Sequence, residues 1–394
     1  MTPLFLFSKD SLPDKVKKNQ LLFLLFFYSC SQPCKHATIR TKKNSRRIMY
    51  SALLIILYSF CFYFPCSSQR SILRPRNTTQ PTIATHWVDD TTKYELKSDF
   101  LEAQALFNKF DKEYFMARLL PQEEIAYRNQ EKKATGGKLR ELIEELLQEI
   151  YQHKKKFKNF TILKSKDFNY RTTSGLLILK FNDHPFVIKL FMETPESFVQ
   201  PFSKGWQPGC FFVMGGGINR YLSGFTRIKN LEEIRKHIAT DSTWSKKLDT
   251  PRKWFWIPDQ CRWFQLQSHA LGTQDYSATL PAVYAIIADE IKSDKKFNIF
   301  NREHRKFALS LCHFLGNRID PHIDNFMKEE GTGLTLIADT EHFPTMIGLR
   351  KELHFSSYGS WYAQLTAKCV QDCFFRNKRV RRNLQINPEK ILPC

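Results

Sequence analysis

Several common signals are missing from this sequence. Cys369 and Cys373 stand four apart, but no His or Cys pair at metal-ligand spacing accompanies them, so a zinc site is not indicated. A compact disulfide framework is missing too. Of ten cysteines, Cys30, Cys34, Cys61 and Cys66 lie in or beside two apolar segments, and the others are scattered from Cys210 to Cys394. No internal repeat or fibrous period is present. Acidic residues are in the minority: 39 Asp and Glu face 60 Lys and Arg, a formal net charge of +21.

What is present excludes a wholly disordered chain. Hydrophobic residues make up 42% of the 394, with 34 Phe, enough for a sizeable core and about two globular units. A basic balance fits nucleic acid, an anionic membrane or a phosphorylated ligand, and the placement of the charge helps to separate them. Residues 1–47 carry ten Lys or Arg against Asp10 and Asp14, and Arg376, Lys378, Arg379, Arg381 and Arg382 form a second run. Removing both leaves an ordinary basic domain, which disfavours nucleic acid as a partner.

From Ile48 to Gln69 the chain has no charged residue, and Tyr50 to Phe64 is almost wholly apolar. With Lys42, Lys43, Arg46 and Arg47 before it and Cys66, Ser67 and Ser68 after, the stretch fits an uncleaved anchor or a removed signal. A start near Met49 and a buried core helix are the competing readings. The earlier Leu21 to Phe27 is too short to span a bilayer alone. These features predict a membrane-associated or exported protein.

The expected organisation is a basic segment at 1–47, a transmembrane or signal segment at 48–69, a linker at 70–92 and a helical region at 93–158. A strand-rich unit at 159–272, a helical unit at 273–375 and a basic tail at 376–394 follow. Lys138 to His153 carries Leu139, Leu142, Ile143, Leu146, Leu147 and Ile150 on one helical face. Phe100 to Arg118 reads as a second amphipathic helix. Phe160 to Lys164, Leu176 to Phe181 and Phe186 to Phe191 read as strands, the last two joined by a turn at Asn182 and Asp183. Phe211 to Gly217, Trp254 to Ile257 and Arg262 to Gln267 are further candidate strands. Helices are expected again at Leu280 to Ile291 and Arg302 to Leu315, then a strand at Leu334 to Ala338. Strands first and helices later predict an α+β protein of two lobes.

The candidate chemistry is spread along the chain. Lys189 lies inside the apolar run Phe186 to Phe191, where a rigid sheet could aim its ammonium at nucleotide phosphates, although a strand lysine ordinarily points to solvent. Asp320 and Asn325 are five apart in the loop GNRIDPHIDNFM. That is the spacing by which a kinase catalytic loop places a proton-accepting Asp and a metal-binding Asn. Asp339 ends the apolar run Leu334 to Ala338, where a second metal-binding carboxylate is needed. An Asp/Asn-rich turn and a strand-end cap are the plain alternatives for these three residues.

The run Asp320-Pro321-His322-Ile323-Asp324-Asn325 resembles the Asp-x-His-x-x-Asn loop of aminoglycoside and choline phosphotransferases. Ile337-Ala338-Asp339-Thr340-Glu341 resembles their Ile-Asp-Trp-Glu strand end. The resemblance implies a two-lobed protein-kinase-like fold that binds ATP and Mg2+ and transfers the γ-phosphoryl group to a hydroxyl acceptor. It makes Asp320 the catalytic base, Asn325 and Asp339 the metal ligands, Lys189 the phosphate contact and His322 a loop-ordering residue. The glutamate that should pair with Lys189 is open among Glu196, Glu232 and Glu233. Two departures stand out: Arg318 holds the position of the family's histidine, and only Gly175 is found where a glycine-rich phosphate loop belongs. An inactive pseudokinase and a membrane-tethered basic protein binding anionic lipid or nucleic acid are the alternatives.

Overall fold

The computed structural model describes residues 82–97, 110–203, 217–269, 275–293, 295–316, 318–342, 357–360 and 386–390. The basic segment 1–47, the apolar segment 48–69 and the cationic run at 376–382 lie outside them. No described helix is long and apolar enough to cross a membrane.

The described chain mixes α and β structure. In order it forms β1 (Thr82–Trp87), β2 (Thr92–Lys97), α1 (Lys112–Met116), β3 (Glu124–Ala126), β4 (Lys133–Thr135), α2 (Gly136–Tyr151), β5 (Phe160–Asn169), β6 (Ser174–Phe181), β7 (Phe186–Met192), α3 (Pro195–Ser203) and α4 (Gly217–Ala239). There follow β8 (Leu248–Asp249), β9 (Lys253–Trp256), β10 (Trp263–His269), β11 (Tyr276–Pro281), β12 (Val283–Asp289), β13 (Lys295–Lys296), α5 (Arg302–Phe314), a 3-10 turn at Ile323–Asn325, β14 (Phe326–Lys328), β15 (Thr335–Ile337) and β16 (Ile386–Lys390).

The sheet that positions the site has the order β5-β6-β7-β12-β9 and is antiparallel throughout. A second sheet runs β11-β10-β1-β2-β16, a third β13-β14-β15-β8 with β15 and β8 parallel, and β3 pairs with β4. Local chemistry explains the edges. Thr135 caps α2 by accepting from the Lys138 amide at 3.2 Å, and Asn301 caps α5 by accepting from the Glu303 amide at 2.8 Å. Gly175 has φ of +110°, and a Cβ there would lie 2.2 Å from the Asp167 carbonyl oxygen, so the start of β6 requires glycine where it pairs with β5.

Two groups of buried apolar side chains organise these elements. The larger joins the five-stranded sheet to Leu139, Ile143, Leu146, Leu147 and Ile150 of α2 and to Tyr221, Leu222, Phe225 and Ile228 of α4. Tyr284 of β12 lies at its centre, stacked on Phe191 at 4.6 Å and on Phe225 at 4.3 Å between ring centroids. Gly224 permits the approach of α4, since a Cβ there would lie 2.0 Å from the Tyr284 hydroxyl. The smaller group gathers Ile234, Leu248, Ala308, Leu311, Leu315, Ile319, Ile323, Phe326 and Ile337 around α5 and β14–β15.

Several expectations change. Leu280 to Ile291 is not a helix: it runs from the end of β11 through β12. The reason is burial on both faces, which makes a central strand apolar all round and erases the period that separates strand from helix. The stretch 70–92, read as a linker, contains β1, whose Ile83, Ala84 and Thr85 are buried. The region 93–158, read as helical, holds β2, β3 and β4 beside α1 and α2, and the second helix expected there is limited among the described residues to Lys112–Met116. The region 273–375 opens with β11 and β12 rather than helix. Residues 211–216 of the candidate strand at 211–217 are outside the described residues, and Gly217 begins α4.

Candidate functional site

The register of the central sheet determines which lysines can meet. Lys189 of β7 pairs with Ile286 of β12, and Lys253 of β9 pairs with Ala288 of the same strand. Directly paired residues share a face, and Ile286 and Ala288 are two apart, so both lysines project from one side of the sheet. That side also carries Phe255 and Tyr284, and α4 packs its Phe225 against Tyr284 there.

Opposite the lysines runs the segment that follows β15. Asp339 accepts from Lys189 Nζ at 3.0 Å through Oδ2 and from the Arg227 guanidinium through Oδ1. The same guanidinium reaches Glu341, whose Oε2 also lies 3.4 Å from Ser223 Oγ. Lys253 Nζ donates to the Ala338 carbonyl at 3.0 Å and to Thr340 Oγ1 at 2.8 Å, and that hydroxyl in turn donates to the Arg227 carbonyl at 2.8 Å. Asn230 Nδ2 donates to the Thr340 carbonyl at 3.0 Å and to the Arg318 carbonyl at 3.3 Å. The His342 amide donates to Thr226 Oγ1 at 3.2 Å. The strand end 338–342 is thus fastened to α4 and to the sheet by side chains from both.

The loop at Asp320 is closed on itself and on this strand end. The His322 amide donates to Asp320 Oδ1 at 2.9 Å, and Asn325 Nδ2 donates to the Asp320 carbonyl at 3.1 Å. His322 Nδ1 accepts from the Asp324 amide at 3.3 Å, so its ring orders the turn. The Ala338 amide donates to the Asn325 carbonyl at 2.9 Å and carries the loop to Asp339.

Burial sets the protonation of these groups. Burial opposes ionisation of Asp339, yet Arg227, Lys189 and Lys253 overcome it and hold its carboxyl well below the ordinary value. Burial lowers Lys189, and Arg227 adds to the effect while Asp339 and Glu341 oppose it. Lys253 is held well below the usual lysine range by burial and by Lys189. Asp320 moves the other way: burial, with Glu341 and Asp339 as like charges, pushes it up to about 8 against the bond from the His322 amide. Three basic side chains and three carboxyls therefore converge, with Lys253 and Asp320 shifted towards their neutral forms.

The structure brings Lys189, Asp320, His322, Asn325 and Asp339 into one neighbourhood. It does not bring the candidate glutamates to Lys189. Glu196 is exposed in the first turn of α3, Glu232 accepts from Arg118 at 2.8 Å, and Glu233 accepts from Lys236 at 2.9 Å with Arg318 at 3.7 Å. Lys189 is paired with Asp339 instead. Arg227 and Lys253 were missed from sequence. In α4, Ser223, Arg227 and Asn230 recur at i, i+4 and i+7 within a buried stretch, a burial that only the packing of the helix reveals.

A magnesium ion at Asp339 does not fit the side chains as arranged. Both carboxylate oxygens are engaged, one by Lys189 and the other by the buried Arg227. Among the described residues no group of three or more His, Cys, Asp or Glu is placed to hold a metal. The chain matches no family model, no curated protein and no solved structure.

Proposed function

We propose that this chain is a kinase-like phosphotransferase, built as two lobes, that moves the γ-phosphoryl group of ATP to a hydroxyl acceptor. One observation carries the proposal: Lys189 Nζ, on the third strand of the antiparallel sheet, lies 3.0 Å from Asp339, 150 positions away and at the end of β15. In kinases the phosphate-contacting lysine sits on the third strand, a helix follows it, and an Asp-x-x-x-x-Asn loop precedes a strand-end aspartate. Lys189 on β7, α4, Asp320 with Asn325, and Asp339 after β15 follow that order. The five-stranded sheet with α4 would form one lobe, and the group around α5 and β14–β15 the other.

The chemistry asked of the protein is positioning and charge neutralisation. Lys189 and Arg227 supply positive charge beneath the sheet. Asp320, held by the His322 amide, is the acceptor for the hydroxyl proton in its ionised form, which predominates only above about pH 8. Tethering to a membrane through residues 48–69 is part of the same proposal, supported by a run of 22 uncharged residues.

The test uses the full chain in detergent. ATP is expected to raise its melting temperature and to be hydrolysed slowly, water standing in for the acceptor. Asp320→Asn should lower turnover by about 100-fold or more while leaving ATP binding in place. Binding without turnover in the wild type would make the chain a pseudokinase, and a chain that ATP neither stabilises nor loses phosphate to is not kinase-like in function. Salt-sensitive binding to anionic vesicles, indifferent to Asp339→Ala, would favour the tethered basic protein instead.

A further inference from the structure

Arg227 is placed as carefully as any residue of the site. Its side chain is 5% exposed, its carbonyl is fixed by the Thr340 hydroxyl, and its guanidinium bridges Asp339 and Glu341. Its Nε is buried and has no hydrogen-bond partner among the described residues. Lys189 lies on the other oxygen of Asp339, with its own side chain 22% exposed. A divalent cation bound to Asp339 would stand beside the positive charges of Arg227 and Lys189, the first of them buried, and repulsion is strong where water is excluded. A polyphosphate competes with Asp339 and Glu341 for the same two cations. It offers several anionic oxygens to a guanidinium fork, whose paired N–H groups match phosphate geometry, and to an ammonium that contacts phosphate as a point charge.

Building on the ATP reading above, we infer that Arg227 and Lys189 hold the nucleotide phosphates directly, in place of a metal ion. Asp339 and Glu341 keep the two cations paired and oriented until the polyphosphate replaces them as counter-charge. Nucleotide binding is then independent of divalent ions, and Asp339 is a holder of cations rather than a metal ligand.

Calorimetric titration of ATP into the full-length protein, once in excess EDTA and once in magnesium chloride, tests this. The two affinities are expected to agree within about 3-fold. Arg227→Lys, which keeps the charge and loses the fork, should weaken binding by about 10-fold or more in both media. Asp339→Asn should preserve or tighten binding in EDTA, because it frees Lys189 and one arm of Arg227. Circular dichroism reports whether each variant folds, and the near-isosteric Asp339→Asn keeps the test decisive if Arg227→Lys does not. Binding seen only with magnesium, and lost in Asp339→Asn, overturns the inference and leaves the ATP reading standing. No ATP binding in either medium overturns the ATP reading, and the inference with it.

Discussion

The apolar core around β12 and the polar seam beside it differ in what each side chain needs from its neighbours. Ile287 is fully buried and Tyr284 packs against aromatic rings, contacts that any apolar group of similar shape supplies in part. Arg227, equally buried, works only with Asp339, Glu341 and the Thr340 hydroxyl in place. Loss of one core side chain leaves a void; loss of one seam member leaves a charge without a partner. The contrast separates a region built for stability from one built to hold ionic groups ready.

Substitution at Arg227 should show the difference most sharply. Arg227→Ala is expected to cost about 3–5 kcal/mol in denaturant unfolding, because Asp339 and Glu341 lose their buried counter-charge. Adding Asp339→Asn should return part of that loss, with a coupling above about 1 kcal/mol. Ile287→Ala should cost about 2–5 kcal/mol, and Asp339→Asn should return none of it. Additive losses for Arg227 and Asp339 would erase the distinction between the two regions.

The same contrast explains what could be read in the sequence. The stripe of α2 follows from local periodicity, and β6 and β7 from β-branched and aromatic runs, so these elements stand within two residues of expectation. β12 was hidden because a strand buried on both faces has no period. In the seam, Lys189, Asp320, Asn325 and Asp339 were legible through a motif order. Arg227 and Lys253 were not, because their meaning lies in the sheet register and the approach of α4, which no local pattern encodes. The glutamate sought for Lys189 failed for the same reason: α4 presents an arginine to the site, and the carboxylates come from the strand end.

Acidity distinguishes the regions next. Folding raises Asp320 to about 8, so between roughly pH 4 and pH 8 the folded chain keeps a proton that the unfolded chain has released. Stability contributed by this group therefore falls as pH rises through that window and levels off above it. Asp320→Asn, which cannot ionise, should gain on the wild type by up to about 5 kcal/mol between pH 4 and pH 8, read from urea midpoints at each pH. A constant difference would mean that Asp320 is solvated like a surface carboxyl.

Thr340→Val is a smaller change within the seam. The side chain keeps its shape but can neither accept from Lys253 Nζ nor donate to the Arg227 carbonyl. The expected cost is about 1–2 kcal/mol, with Thr340→Ser recovering most of it. A loss in Thr340→Ser with none in Thr340→Val would assign the effect to packing of the methyl group and would move Thr340 into the apolar region.

The smallest effect lies in the apolar region and has the opposite pH sign. His184 touches Phe181 and Tyr127, and its Nδ1 lies 2.7 Å from the Tyr127 hydroxyl. Burial lowers its proton affinity, so below the ordinary histidine range the unfolded chain binds a proton that the folded chain resists. The stability His184 contributes is complete above about pH 6.5 and declines as pH falls below it. Between pH 7 and pH 5 the wild type should lose stability that His184→Gln does not lose. If the variant loses as much, His184 is protonated without penalty, and among these two groups pH sensitivity belongs to the Asp339 seam alone.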